Sequence, residues 1–152
     1  MYFWDADASG LDKKKGIYDG APMTSFSCVT FGDDGTCYTG GANSKIYKWD
    51  AAERKCTGTI SAHKGGFICS MTFQNGSLFS GGKDGDVHEI DVAGMCSKRS
   101  WSFDSLVRAV DVMDGNLLVG CRDGTIWLRG MEGGEPKAIM SSHNDGEVWG
   151  LA

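Results

Sequence analysis

The chain has 152 residues, 41% of them hydrophobic, and a formal net charge of −5. That length allows one ordinary domain with a substantial core, and the acidic balance argues against a nucleic-acid partner, which needs a basic footprint. No apolar run approaches the length of a membrane span, and the start, MYFWDADASG, lacks the basic and apolar regions of a signal peptide, so neither a membrane nor a secretory route is expected.

Taken in chain order, YFWDA at 2–6 reads as the third strand of a β-sheet unit, and residues 1–12 as the end of that unit plus a linker. Asp5-Ala6-Asp7-Ala8-Ser9-Gly10 copies the opening of a calcium-binding loop. The copy fails, because the twelfth position is Gly16 where a bidentate glutamate is needed and Lys13 to Lys15 crowd the site. The three lysines read as a solvated loop. Residues 13–61 then predict strands at 26–31, 36–40, 45–49 and 56–61. Residues 62–103 predict strands at 67–73, 77–81, 86–91 and 98–103. Residues 104–141 predict strands at 106–112, 116–120, 124–129 and 136–141. EVWGLA at 147–152, within a last unit spanning 142–152, reads as the first strand of a unit whose remainder is missing. Asp34-Gly35, Asn75-Gly76 and Asp114-Gly115 supply the positive φ that tight hairpins require, so the sequon Asn75-Gly76-Ser77 reads as a turn and not as a glycan acceptor. No stretch has a helical period.

The units repeat. Thr39-Gly40-Gly41 returns as Ser80-Gly81-Gly82 and then as Val119-Gly120-Cys121, and KIYKWD, DVHEID and TIWLRG follow at matching distance. A period near 40 residues, built of short apolar runs and tight turns, is the pattern of a propeller blade. The expected fold class is all-β: a WD-repeat β-propeller segment of three complete four-stranded blades with partial blades at both ends. Three blades cannot close a ring, so an open arc continued by further blades of a longer protein is expected.

Many WD blades carry a buried network of a His before strand one, a Ser or Thr on strand two, an Asp in the next turn and a Trp on strand three, whose donors and acceptors satisfy one another. The middle blade offers His63, Ser80 and Asp84, with Ile90 in the Trp position. The first offers Thr39 and Trp49, the third only Asp123, and His143 would serve the truncated blade. All of these are read as structural. His88 stands alone on its strand and reads as a surface or partly buried residue. Cys28, Cys37, Cys56, Cys69, Cys96 and Cys121 contain no CxxC pair and read as buried free thiols, with Cys28 and Cys69 at matching positions of successive first strands. No residue set suits a nucleophile, an acid–base pair, a metal or another cofactor, so no enzyme is expected. The loops before strand one and after strand two emerge on one side, placing Lys45, Lys64, Lys83 and Arg122 on a common rim, with Asp33, Asp34 and Asp114 opposite. Asp84, Asp86, Asp104, Asp123 and Asp145 lie in the same loops as the cations.

The ordered set KKKGIYDGAP (13–22), SCVTFGDDG (27–35), YTGG (38–41), AHKGGFICSM (62–71), SGGKDG (80–85) and HNDGEVWGLA (143–152) resembles the echinoderm microtubule-associated protein-like family. The resemblance covers about residues 13 to 152. It implies part of a tandem pair of propellers that binds tubulin and microtubules, including those of cilia and flagella in some members. The expected location is the cytoplasm and its cytoskeleton, with the axoneme included. The repeat pattern by itself equally allows an adaptor for another protein complex.

Overall fold

The computed structural model describes residues 1–7, 10–18, 24–141 and 148–151. Among them there is no helix. Strands β1 (Tyr2–Asp7) and β2 (Gly10–Lys15) form a two-stranded antiparallel ribbon. Three four-stranded antiparallel sheets follow, each in simple sequential order. The first holds β3 (Phe26–Phe31), β4 (Cys37–Gly41), β5 (Lys45–Asp50) and β6 (Lys55–Ser61). The second holds β7 (Ile68–Gln74), β8 (Ser77–Gly82), β9 (Asp86–Asp91) and β10 (Cys96–Ser102). The third holds β11 (Val107–Met113), β12 (Asn116–Cys121), β13 (Ile126–Gly130) and β14 (Lys137–Met140).

Turn chemistry sets these meanders. Asn75 and Gly76 have φ of 50° and 76°, and Asp114 and Gly115 have 51° and 73°, the two consecutive positive values that match a hairpin to strand twist. The first blade differs from expectation. There only Gly35 is left-handed, at 79°, and Gly32 N–H closes a wider loop onto Thr36 O while Asp34 Oδ1 accepts from Thr36 N–H.

The core lies between blades as much as within them. Tyr38, Ile46 and Ile60 of the first blade join Ile68, Met71, Leu78 and Ile90 of the second in one cluster, and Phe79, Val87 and Trp101 join Val107, Val110, Leu117 and Val119 in the next. Blades approach closely because the second strand carries a glycine at the contact. A Cβ on Gly40 would lie 2.8 Å from Ile68 Cγ2, one on Gly81 2.6 Å from Val110 Cγ2, and one on Gly120 2.9 Å from Val148 Cβ. The first strands β3, β7 and β11 neighbour one another in turn, which gathers them at the inside of the arc.

Each first strand has a bulge at one place. Register shifts fall between Phe26 and Cys28, Ile68 and Ser70, and Val107 and Ala109. Cys28, Ser70 and Ala109 are therefore equivalent, opposite Gly40, Gly81 and Gly120. This corrects the pairing of Cys28 with Cys69: Cys69 is equivalent to the bulged Ser27, one residue earlier. The thiols also differ in burial. Cys37 and Cys121 are buried, Cys28, Cys56 and Cys69 are half-buried, and Cys96 is exposed.

Two other readings need correction. Lys13–Lys15 are not a loop but the end of β2, where they pair with Trp4, Phe3 and Tyr2. Lys14 Nζ bonds Asp5 at 2.7 Å, and Lys13 Nζ sits 4.0 Å from the centre of the Tyr2 ring. Val148–Leu151 form no strand, although Val148 N–H donates to Cys121 O.

Candidate functional site

Two places concentrate polar chemistry: a buried network inside the second blade and the rim formed by the loops after the second strands.

The network is built by register. Ser80 on β8 faces His88 on β9, and the turn after β8 carries Asp84 back beneath the loop that holds His63. His63 Nδ1 lies 2.9 Å from Asp84 Oδ1, and His63 Nε2 lies 2.9 Å from Ser80 Oγ. Asp84 also accepts from Lys64 N–H at 2.9 Å and Asp86 N–H at 3.3 Å. Gly82 makes room for the ring, since a Cβ there would stand 2.5 Å from His63 Nδ1. Burial alone would raise the Asp84 pKa, but the hydrogen bonds from His63 and Lys64 outweigh it and hold the carboxyl below its ordinary value. In the first blade Trp49 Nε1 donates to Thr39 Oγ1 at 2.9 Å, a two-member network with Trp49 nearly fully buried. In the third, among the described residues, Asp123 Oδ1 accepts from Thr125 N–H. His143 lies outside the described residues.

His88 is not solitary. It is buried, and its ring meets that of His63 at 4.6 Å between centroids and 75° between planes. Burial pushes its pKa below the ordinary imidazole value, and nearby His63 acts in the same direction. His63, Asp84 and His88 each offer a ligand-type atom, all within 4.8 Å of one another. Sequence inspection places Ile90 correctly at the position of Trp49 but passes over His88, which lies two residues earlier at the position of Tyr47, opposite Ser80.

On the rim, one hydrogen bond recurs. Ala42, Lys83 and Arg122 donate their N–H to Ser25, Phe67 and Leu106 carbonyls, each at 2.9 Å, so the loop after strand two lies beside the loop before strand one in every blade. Lys83 and Arg122 thus occupy equivalent positions of neighbouring blades. With Arg108, Phe67, Cys69 and Leu106 they line a cleft of about 240 Å³. Lys45 and Lys64 do not line it. Lys64 Nζ instead lies 3.2 Å from Asp86. Arg108, missed from sequence, is the bulged residue of β11, and its guanidinium stacks 4.4 Å from the Trp149 ring centre.

Such a chain, with sheets of four sequential antiparallel strands packed blade against blade, is a WD-repeat β-propeller segment. The family description "WD domain, G-beta repeat" matches residues 54–91. The fold is shared with the Cps50 (Swd1) β-propeller domain of Myceliophteria thermophila, at a TM-score of 0.68 and 15% identity over 77% of this chain and 39% of that one. The chain is 42% identical, over 98% of its length, to the "Ciliary WD repeat-containing protein ctxp80" of Euplotoides octocarinatus, and 30% identical over its whole length to "Echinoderm microtubule-associated protein-like 1" of Homo sapiens. It spans about a fifth of each, 20% and 19%. These relatives bear out the resemblance to the echinoderm microtubule-associated protein-like WD-repeat family.

Proposed function

We propose that this chain is part of a non-enzymatic scaffold that binds microtubules, in the cytoplasmic cytoskeleton and its ciliary or flagellar axonemes, through the rim that carries Lys45, Lys64, Lys83 and Arg122. The names of the relatives support the partner. The observation that carries the surface is the convergence of Lys83 and Arg122, equivalent in successive blades, on one cleft with Arg108 and the half-exposed Phe67. Tubulin surfaces are strongly acidic. A local cationic face on a chain of net charge −5 orients docking and raises encounter rate, and salt weakens both.

The test is to reverse Lys64, Lys83 and Arg122 to Glu in the intact protein and to measure pelleting with microtubules across a salt series. The expected result is at least about a tenfold loss of affinity at low salt and a flatter salt dependence. Unchanged affinity and slope overturn the assignment of the rim. An adaptor for another protein complex would show no pelleting by the unsubstituted protein.

A further inference from the structure

The position of His88 separates the second blade from the first. His88 lies opposite Ser80 as Tyr47 lies opposite Thr39. Tyr47 is an aromatic among aromatics, with Tyr18 and Phe26 rings at 5.6 and 5.3 Å, and its hydroxyl accepts from Asn43 Nδ2. His88 instead brings a second imidazole against His63. Its Nδ1 lies 2.9 Å from Ser97 Oγ, while its Nε2 is buried with no hydrogen-bond partner among the described residues, in a side chain only 6% exposed. A buried polar nitrogen without a partner is costly, so its place here calls for a reason.

We propose that His63, Asp84 and His88 form a binding site for a divalent transition-metal ion of the zinc type. Two imidazoles and one carboxylate are a borderline nitrogen–oxygen set that favours zinc, cobalt or nickel over magnesium or calcium. The ligands are His63 Nδ1, an Asp84 carboxylate oxygen and His88 Nε2. His63 Nδ1 already stands 2.9 and 3.2 Å from the two Asp84 oxygens. Bonds of about 2.0–2.1 Å in a tetrahedron separate ligand atoms by roughly 3.4 Å, so the His63–Asp84 pair needs to open only slightly, within a cluster whose three residues each bring a ligand-type atom within 4.8 Å of the others.

The outer shell stands ready. Metal-bound imidazoles hold their other nitrogen with an oxygen acceptor, and Ser80 Oγ does this for His63 while Ser97 Oγ does it for His88. Lys64 N–H remains on Asp84 Oδ2. Binding moves the His63 proton from Nδ1, where it faces Asp84, to Nε2, where it is donated to Ser80 Oγ, whose hydroxyl turns from donor to acceptor. No net proton is released by the ring. The sequence pattern carries no sign of this site, because its ligands are spaced as blade residues and not as a metal motif.

The experiment titrates the metal-free chain with Co²⁺ and then displaces the cobalt with Zn²⁺. One equivalent of Co²⁺ is expected to bind with the visible absorption of a four-coordinate ion, water completing the three side-chain ligands, and Zn²⁺ to raise the melting temperature. His88→Tyr, which installs the residue of the first blade, is expected to keep the circular-dichroism spectrum of the chain and weaken binding at least a hundredfold. His88→Phe serves as the second variant should tyrosine not fold. Ser97→Ala is expected to weaken binding about tenfold through the outer shell. Absence of a cobalt spectrum in the unsubstituted chain, or its persistence in the folded His88 variant, overturns the site.

Discussion

Gly81→Ala is the substitution that most directly probes how the blades meet. The new methyl would stand 2.6 Å from Val110 Cγ2 and overlap Val107 Cγ1 still more closely. Both valines are buried, and a β-branched side chain is stiff at χ1, so neither can turn away cheaply. Overpacking of this kind costs about 1–3 kcal/mol, and the upper end applies here. The backbone at Gly81 is not left-handed, so alanine also removes unfolded-chain entropy, which returns about 0.4–1 kcal/mol. The net expectation is a loss of about 2 kcal/mol, or about 4–8 °C in melting temperature for a chain of this size. Val107→Ala alone removes two buried methyls, at about 0.8 kcal/mol each plus a cavity term, for a loss of about 2 kcal/mol. The two together are expected to lose less than their sum by at least about 1 kcal/mol, because the smaller residue admits the new methyl. Gly65→Ala is the control, with open space around its Cβ and no left-handed φ, and is expected to be neutral or slightly stabilising. Thermal and urea melts at one fixed protein concentration measure all four. A Gly81→Ala chain within about 0.5 kcal/mol of the unsubstituted one, or strict additivity with Val107→Ala, refutes the close-approach argument.

Acid should weaken the fold through the turn aspartates. Backbone N–H bonds, from Thr36 to Asp34 and from Gly94 and Ala93 to Asp91, hold both carboxyls below their ordinary value. Their contribution is present above the unfolded pKa of about 3.9 and is lost as pH falls through the lower folded value. Asp34→Asn with Asp91→Asn is expected to flatten the fall in melting temperature below about pH 4; an unchanged slope counts against these caps. Thiol labelling should follow burial, which pushes Cys28 and Cys37 up to about 11 and Cys121 up to about 12. Exposed Cys96 is expected to react first with a disulfide reagent at pH 8, and Cys37 and Cys121 only on unfolding, as mass mapping of the labelled peptides would show. Fast labelling of Cys121 would contradict the packing of the third blade.

The inner strands of the three full blades were legible because they bury one or both faces, and the turns after β7 and β11 are Asn-Gly and Asp-Gly pairs suited to positive φ; the outer β10 and β14 expose nearly all their residues and are placed by the repeat period. Strand β2 was not legible. Its sequence, GLDKKK, has no apolar alternation, and five of its six residues are exposed. Its place is held by the backbone ladder to β1 and by cross-strand pairs such as Lys14 with Asp5, which hydropathy does not register. Within the second blade, His63, Ser80 and Asp84 could be connected from spacing alone, since each belongs to a recurring position. His88 could not, because its meaning depends on facing Ser80 across a ladder and on His63 lying beneath it.

The recurring bulge says where these blades specialise. A bulge inserts one residue without a ladder partner and re-aims its side chain. Counting from an expected start at residue 67 aligns Cys28 with Cys69, whereas β7 starts at Ile68 and the ladder aligns Cys28 with Ser70. The residue set free of the ladder is Ser27, then Cys69, then Arg108. The position after the bulge, Cys28, Ser70 and Ala109, faces Gly40, Gly81 and Gly120 across the ladder and is small in all three blades. The bulged position has no such constraint. Ser27 uses it to reach the Gly40 and Ile68 carbonyls, tying the first blade to the second. Arg108 uses it to place a charge beside Lys83 and Arg122 in the cleft between the second and third blades. One backbone device, repeated at a fixed register, thus supplies cohesion in one blade and surface chemistry in another, which is why the rim's character changes along an arc whose frame does not.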